Sequence, residues 1–427
     1  MDNGTITAFL AMGSAIFIGF FGNMIFQKYR IPDVLITILL GILIGPDLLG
    51  LVSLGTLDGI DRYRDFFLSA ALVVILFEGG LYLDIRALVE SMRLGTFIML
   101  LTLFVEIVAC MAIMILVLEV DFVLALVFAT ILGGTSEAVV IPVANRMRIG
   151  SKTKSMLVME SMVTDVLTIT IAITLMSLLA TGSLSLVSLG EEIAINFLVG
   201  AVIGFVSGIA WLFVLQKLQN QPLSYMLTVG ALFLVAGAVE MSPIASSGAV
   251  AALAFGLAIG NRRVVKKWLT SLTLRLSTDN HIQDFHSEIA FFVRTFFFVY
   301  LGVLIRFDSF TLLQIAVGVS IIAVIVVVRR LTSRLAMNLG DLDVEEADAI
   351  WAMMPRGLAT AVLATAPAAV LATTAIWDTE YESLILNIAL IVIVGTTILA
   401  TILSFAVERG IDVRNRKELR KKLAEDV

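Results

Sequence analysis

The sequence of 427 residues has one cysteine, two histidines and few charged residues. Cys110 lies within an apolar block, so an intrachain disulfide framework is excluded. No His-Glu-x-x-His zinc motif occurs, and we predict that the chain is not an enzyme and requires no cofactor. His281 and His286 are predicted to be solvated, with a contribution to pH response as the alternative.

The low charge content is matched by an excess of apolar residues. Only 15% of the residues are charged and 59% are hydrophobic, whereas a soluble domain is about 25% charged. The apolar residues are gathered into long blocks, so the fold class is an all-α polytopic membrane protein. No nucleic-acid partner is predicted.

The apolar blocks predict about thirteen transmembrane spans, each near the ~20 residues that a bilayer requires. We expect one transmembrane domain over residues 1–427, ending in a short basic cytoplasmic tail, 410–427. The approximate limits of the spans are 5–27, 31–52, 66–84, 94–118, 121–144, 154–181, 193–216, 222–240, 244–260, 286–305, 309–328, 347–373 and 383–408.

The positions of lysine and arginine orient these spans. Alternate connections and the C-terminal tail hold 24 of the 29 basic residues, and the other side keeps Arg62, Arg64 and Arg306. Basic residues favour the cytoplasmic side, so we predict a cytoplasmic C-terminus and an outside N-terminus in the plasma (inner) membrane. The basic tail and the loop 262–267 are expected to meet anionic lipid headgroups.

Two short glycine motifs indicate an internal repeat. Span 2 contains LLGILIGP with Gly41 and Gly45, and span 9 contains AFGLAIGN with Gly256 and Gly260. A shift of seven spans maps spans 1–6 onto 8–13, and an odd shift inverts one repeat relative to the other, as in many secondary transporters. The alternative is two unrelated packing faces of small residues.

The repeat predicts that spans 5 and 12 are interrupted helices that cross near mid-membrane. Span 5 contains Gly133 and Gly134, and its counterpart, span 12, contains Pro355 and Gly357, all of which weaken helices. Substrate sites in inverted-repeat transporters lie where such corresponding helices break.

Ionisable residues within a span are costly and usually functional. Glu160 and Asp165 lie on one span, but at ~100° per residue they point to different faces. Ser161 and Thr164 share the face of Asp165, and these oxygen atoms suit a hard cation. The alternative for Asp165 is a cap on the broken end of span 5.

Glu160 faces away from this cluster and needs another partner. We predict a structural ion pair with Arg356 at the break in span 12, since a buried arginine and carboxylate stabilise each other's charge. Arg294 is expected to pair with an acid in the second half of the chain. Glu78 is either a structural hydrogen-bonding group or an access point for ions, and the environment of Glu106 is left open.

Four motifs in order resemble one family. FEGG, GGTS, ESMVTD and PRGLATA, on spans 3, 5, 6 and 12, resemble the NhaP-type sodium/proton antiporters of the monovalent cation/proton antiporter superfamily. The resemblance implies a homodimer in which a mobile core part moves against a dimerisation part, the two being interleaved in the sequence.

The resemblance also places the family's ion-binding residues. It assigns Asp165, Ser161, Thr164 and Thr135 to the cation and proton site, Glu78 to the third-span acid, and Glu160 and Arg356 to the structural pair. Ser136 stands where the family has an aspartate, and Glu137 follows it. The hydroxyl of Ser136 is expected to take part in ion binding in place of that carboxylate. Glu137 and Glu78 are candidates for a second acid, and the alternative for Glu137 is a group directed to the aqueous funnel. Potassium or lithium competes with sodium as the transported cation.

We therefore expect a secondary transporter that exchanges protons for monovalent cations, with Asp165 binding one or the other. A single titrating carboxylate predicts an electroneutral 1:1 exchange by alternating access. The alternatives are a sodium-coupled carrier of an organic anion on the same scaffold and a cation channel.

Overall fold

The structure is a computed structural model. It describes residues 13–14, 16–17, 19–21, 24, 32–50, 64–83, 85–86, 94–181, 186–218, 221, 223–242, 247–268, 281–340, 342–372, 374 and 376–425. The predicted span 5–27 lies largely outside the described residues.

The described residues are almost entirely helical. The helices are α1 (Asp33–Ile44), α2 (Arg64–Tyr82), α3 (Leu94–Leu118), α4 (Phe122–Ile131), α5 (Glu137–Arg146), α6 (Ser151–Thr181), α7 (Leu186–Lys217), α8 (Ser224–Glu240), α9 (Gly248–Gly260), α10 (Arg262–Trp268), α11 (His281–Val303), α12 (Leu312–Gly340), α13 (Val344–Ala352), α14 (Leu358–Leu371) and α15 (Thr379–Glu425).

Within the described residues, six helices are long and apolar enough to cross a membrane, and shorter apolar helices accompany them. Each of the predicted spans 2–13 coincides with one helix or, for spans 5 and 12, with two, which confirms the polytopic all-α fold. The exact number of spans stays a prediction. α12 and α15 extend well beyond the predicted limits, to Gly340 and Glu425, so the predicted tail continues the last helix.

Both predicted interruptions are present. Span 5 is divided into α4 and α5 around Gly133 and Gly134, and span 12 into α13 and α14 around Pro355. Local sequence fixes where the halves begin: the Asp121 carboxylate accepts from the Val123 N–H at 2.9 Å to cap α4. A reciprocal capping box of Asp343 and Glu346 begins α13.

The glycine motifs bring helix backbones into direct contact. On α1, a Cβ atom at Gly41 would overlap the carbonyl oxygen of Val299 on α11, and one at Gly302 would overlap that of Ile38. These positions therefore require glycine, because any side chain would separate the two helices.

The second glycine motif makes the equivalent contact in the other half. A Cβ atom at Gly256 on α9 would overlap the carbonyl oxygen of Phe77 on α2, and one at Gly80 would overlap that of Leu253. The shift of seven spans exchanges α1 with α9 and α2 with α11, so each contact maps onto the other. That exchange is what a two-fold relation between two repeats requires.

The two interrupted helices meet at their breaks. The Ser136 N–H donates to the Pro355 carbonyl oxygen at 2.7 Å, and the Arg356 Nη1 donates to the Gly134 carbonyl oxygen at 2.8 Å. Each break thus satisfies backbone groups that the other leaves outside its helix, as required within a membrane.

Candidate ion-binding site at the crossing of the broken helices

Asp165 lies on α6 beside the break between α4 and α5, with 8% of its surface exposed. A Cβ atom at Gly134 would be 2.8 Å from the Asp165 Oδ1 and 2.9 Å from the Thr168 Oγ1. The extended segment therefore approaches Asp165 closely because residue 134 has no side chain. The backbone N–H of Glu137 hydrogen-bonds the Asp165 carboxylate, placing this negative charge at the N-terminus of α5.

A small cavity borders the Asp165 carboxylate. Its volume is about 20 Å³, which is room for one water-sized particle and hence for one largely dehydrated monovalent cation. Ser136 and Glu137 contribute the neighbouring polar groups, and Leu358 and Ala359 at the start of α14 close another side. The N-terminal ends of both half-helices α5 and α14 therefore border the space beside Asp165.

Thr135 and Thr164 lie behind this cavity and do not line it. The Thr164 hydroxyl donates to the Glu160 carbonyl oxygen at 2.8 Å, so it accepts from the Thr135 hydroxyl at 3.2 Å. The Ser161 hydroxyl donates to the Val158 carbonyl oxygen at 3.0 Å and also does not line the cavity. The structure thus brings Asp165, Ser136 and Glu137 together, with the other three hydroxyls fixing the backbone around them.

A larger cavity of about 440 Å³ leads towards the same region. Glu78 and Arg294 line it, with 3.7 Å between the Glu78 Oε2 and the Arg294 Nη1. Arg294 therefore approaches an acid in the first half of the chain, contrary to the expectation of one in the second half. The absence of a side chain at Gly79 leaves room for Glu137, whose Oε2 would be 3.0 Å from a Cβ atom there.

Glu137 and Arg294 border both cavities. Glu137 therefore stands between the larger cavity, where Glu78 lies, and the small cavity at Asp165. Ala138 borders both cavities as well, so the first turn of α5 lies between them.

The predicted ion pair between Glu160 and Arg356 is wrong. Glu160 pairs with Arg329 of α12, whose Nη2 donates to the Glu160 Oε2 at 2.8 Å while Nη1 binds the other carboxylate oxygen. Arg329 is 1% exposed, and its Nε also donates to the Ile350 carbonyl oxygen at 2.9 Å. The pair is the bidentate arrangement that arginine and a carboxylate favour, so both charges stay in place in the interior.

Arg356 instead pairs with Glu106 of α3. The distance between the Arg356 Nη2 and the Glu106 Oε2 is 2.6 Å, and both side chains are buried. The backbone N–H of Arg356 donates to the Thr396 hydroxyl at 2.9 Å. Arg356 therefore anchors the two breaks to α3 and α15 and gives Glu106 a defined partner.

The sequence predicts that span 11 ends at residue 328, which leaves Arg329 outside the span. α12 continues, and its buried positions repeat with helical spacing through the arginine. The apolar and small residues beyond residue 328 at that spacing are the signal that would have placed Arg329 inside: Thr332, Ser333 and Ala336.

The expectation that His286 is solvated is wrong. His286 is 3% exposed, its Nδ1 lies 2.7 Å from the Ile282 carbonyl oxygen, and its ring packs edge-on against Phe77 and Phe285. The predicted span 10 began at residue 286, whereas α11 begins earlier, at His281, so the imidazole lies within the packed helix. The His281 side chain lies outside the described residues.

Two interrupted helices that cross beside a buried carboxylate, inside a bundle of apolar helices, define a secondary transporter of cations. The chain belongs to the sodium/hydrogen exchanger transmembrane family, whose model matches residues 13–407. It is therefore a multi-pass membrane protein that exchanges cations for protons, and this membership favours neither an organic-anion carrier nor a channel.

Solved structures share the fold. The chain is similar to the sodium proton antiporter MjNhaP1 from Methanocaldococcus jannaschii at pH 8, with a TM-score of 0.75 and 20% identity over 94% of this chain and 99% of that one. A second structure of MjNhaP1, from electron microscopy, has a TM-score of 0.70 and 21% identity over 96% and 98% of the two chains. No curated protein sequence matches this chain significantly.

Proposed function

We propose that Asp165 binds a monovalent cation and a proton in turn, and that this competition couples their opposite movement 1:1 without net charge. The supporting observation is the Asp165 carboxylate at the edge of a cavity that holds one water-sized particle, beside the N-terminus of α5. A bare carboxylate is costly to move through a membrane interior, so either bound ion lowers the barrier for the core part.

In the proposed path from the larger cavity to the small one, an ion meets Glu137 before it reaches Asp165. The Glu137 carboxylate borders both cavities, so it attracts cations from the larger cavity and passes them to Asp165. Glu78 is compensated by Arg294 at 3.7 Å and contributes to the polarity of the access route. In this scheme Asp165 alone exchanges one ion for the other in each cycle.

The larger cavity supports an inward-facing state. It is bordered by Asn145 near the end of α5 and by Tyr82 at the end of α2. Both lie next to basic connections that the positive-inside rule assigns to the cytoplasm. In the proposed orientation, with an outside N-terminus and a cytoplasmic C-terminus in the plasma membrane, the structure is the inward-facing state of a homodimeric exchanger.

The cation is sodium, with potassium as its main competitor. MjNhaP1 is a sodium proton antiporter, and the cavity residue Ser136 here stands where the family pattern has an aspartate. A hydroxyl in place of a carboxylate lowers the negative charge at the cavity and so weakens the preference for the smaller, more strongly hydrated cation.

The exchange is tested with purified protein in liposomes that contain an internal pH dye. Wild-type protein should move protons when sodium, lithium or potassium is added outside, and Asp165→Asn should lose at least about 100-fold in rate while remaining folded. Competition further predicts that the cation concentration for half-maximal rate rises up to about tenfold per unit fall in pH, with an unchanged maximal rate.

Substantial cation-dependent proton flux in Asp165→Asn would refute the proposal, as would cation flux without countermovement of protons. The order of the half-saturating concentrations of the three cations decides the cation preference.

A further inference from the structure

A third pocket, which shares only Tyr82 with the larger transport cavity, lies where α2, α9, α10 and α11 come together. Its volume is about 550 Å³, within the range of small-molecule sites. Four cationic side chains line it, one from the segment that follows α2 and three from α10: Arg86, Arg262, Arg263 and Lys267. None of the described residues that line it is Asp or Glu.

The wall of this pocket is held by side-chain amides. The Asn261 Oδ1 accepts from the Ile85 N–H at 3.0 Å, and its Nδ2 donates to the Leu83 carbonyl oxygen at 2.7 Å. The Gln283 Nε2 donates to the Leu81 carbonyl oxygen at 3.0 Å. These bonds hold the end of α2 and the segment after it against α9 and α11. Arg86 belongs to that segment, so its backbone is held beside the pocket.

The charge of the pocket is concentrated on one short helix. Arg262 is 7% exposed, whereas Arg263 and Lys267, one turn apart on α10, are exposed. Arg263 and Lys267 are like charges on one side of this short helix, and an anion with several acceptor oxygens lowers the repulsion between them. Phosphate matches both the fork of arginine donors and the point charge of lysine.

We propose that this pocket binds a phosphate group, carried either by an anionic phospholipid headgroup or by a soluble phosphate compound. The pocket lies on the side that the basic connections assign to the cytoplasm, where anionic headgroups attract basic residues. Tyr82 borders both this pocket and the larger transport cavity, and its hydroxyl is 2.6 Å from that of Ser287. The bound phosphate is therefore one side chain away from the ion access route.

The test uses the full-length protein in detergent with two probes, dioleoylphosphatidylglycerol and inorganic phosphate. Native mass spectrometry counts retained lipid, and thermal unfolding follows saturation by phosphate. The variant Arg263→Gln/Lys267→Gln removes two exposed charges from the pocket. The matched control Lys152→Gln/Lys266→Gln removes two exposed charges that do not line it, including the neighbour of Lys267 on α10.

We expect the pocket variant to bind at least about tenfold more weakly, because each basic residue near a lipid surface contributes about a few-fold to affinity. The control and the charge-keeping swap Arg263→Lys/Lys267→Arg should bind within about twofold of wild type. If the pocket variant loses only the binding of phosphatidylglycerol, the pocket is a lipid site. If it loses the saturable effect of inorganic phosphate on thermal unfolding, the ligand is a soluble phosphate compound. Equal binding by the pocket variant and the control for both probes overturns the proposal. Exchange assayed in phosphatidylcholine liposomes is independent of this result.

Discussion

Arg329 and Glu160 form a bidentate ion pair that joins α12 to α6 five residues before Asp165. Both side chains are buried, so removal of one partner leaves an uncompensated charge in the interior. The pair therefore holds in place the stretch of α6 that carries the transport site.

We expect Glu160→Gln or Arg329→Met alone to destabilise the protein by about 3–5 kcal/mol, and the double variant to lose less than the sum of the two. Unfolding in detergent with increasing denaturant measures these losses. Arg330→Met is the control: its pairing with Asp348 is partly exposed, so it should cost about 1 kcal/mol or less. Additive single losses would show that the two residues are not coupled, and a stable but inactive Glu160→Gln would contradict a structural role.

Gly134→Ala should reduce exchange at least about tenfold with a smaller effect on stability, because the new methyl group would press on the Asp165 Oδ1 and the Thr168 Oγ1. Initial rates of proton movement in liposomes measure the change. Gly230→Ala on α8 is the control, since nothing lies within 4 Å of a Cβ atom there. A fully active Gly134→Ala would show that the close approach to Asp165 is not required.

Glu137→Gln should raise the cation concentration for half-maximal exchange about tenfold and keep the exchange electroneutral. The reason is that the side chain borders both cavities and attracts the cation without being the group that exchanges it. Rates measured with and without an imposed membrane potential test both parts of this expectation. Glu288→Gln, an exposed acid on α11, is the control. Dependence on potential that disappears only in Glu137→Gln would make Glu137 a second transported-proton site.

Gly80→Ala and Gly302→Ala should each destabilise the protein by about 1–3 kcal/mol, because the added methyl group collides with a carbonyl of the facing helix. The two losses should be similar, since the two contacts are equivalent under exchange of the repeats. Thermal unfolding in detergent measures them. Gly237→Ala, with nothing within 4 Å of its Cβ position, should be neutral or slightly stabilising. A large loss at one glycine and none at the other would argue against equivalent packing.

The sequence predicted the elements whose signals are local or periodic. Apolar blocks located the helices, and Gly133, Gly134 and Pro355 located both breaks. Glycine and proline destabilise a helix at their own positions, so their effect can be read from the local sequence. The two pairs of glycines four residues apart, Gly41/Gly45 and Gly256/Gly260, predicted the repeat. Close packing of helices in a membrane depends on small residues, so such pairs mark equivalent contacts.

The pairing of buried charges was not predictable in the same way. Helix geometry separated Glu160 from Asp165, but it gave only the direction in which Glu160 points and not the helix that faces it. The sequence predicts that Arg329 lies in a connection, because basic residues are concentrated in cytoplasmic connections. The partners of Glu160 and Arg356 depend on how α3, α6 and α12 pack, which is a property of the tertiary fold.

The hydrogen bonds between the two breaks also constrain the order of assembly. Ser136 and Pro355 are more than 200 residues apart in the sequence, yet each break relies on the other for backbone hydrogen bonds. Unpaired backbone groups are costly in the bilayer, so the first half of the chain cannot complete its own interrupted helix. The residues around Asp165 therefore reach their final arrangement only after the chain has been synthesised and inserted beyond Gly357.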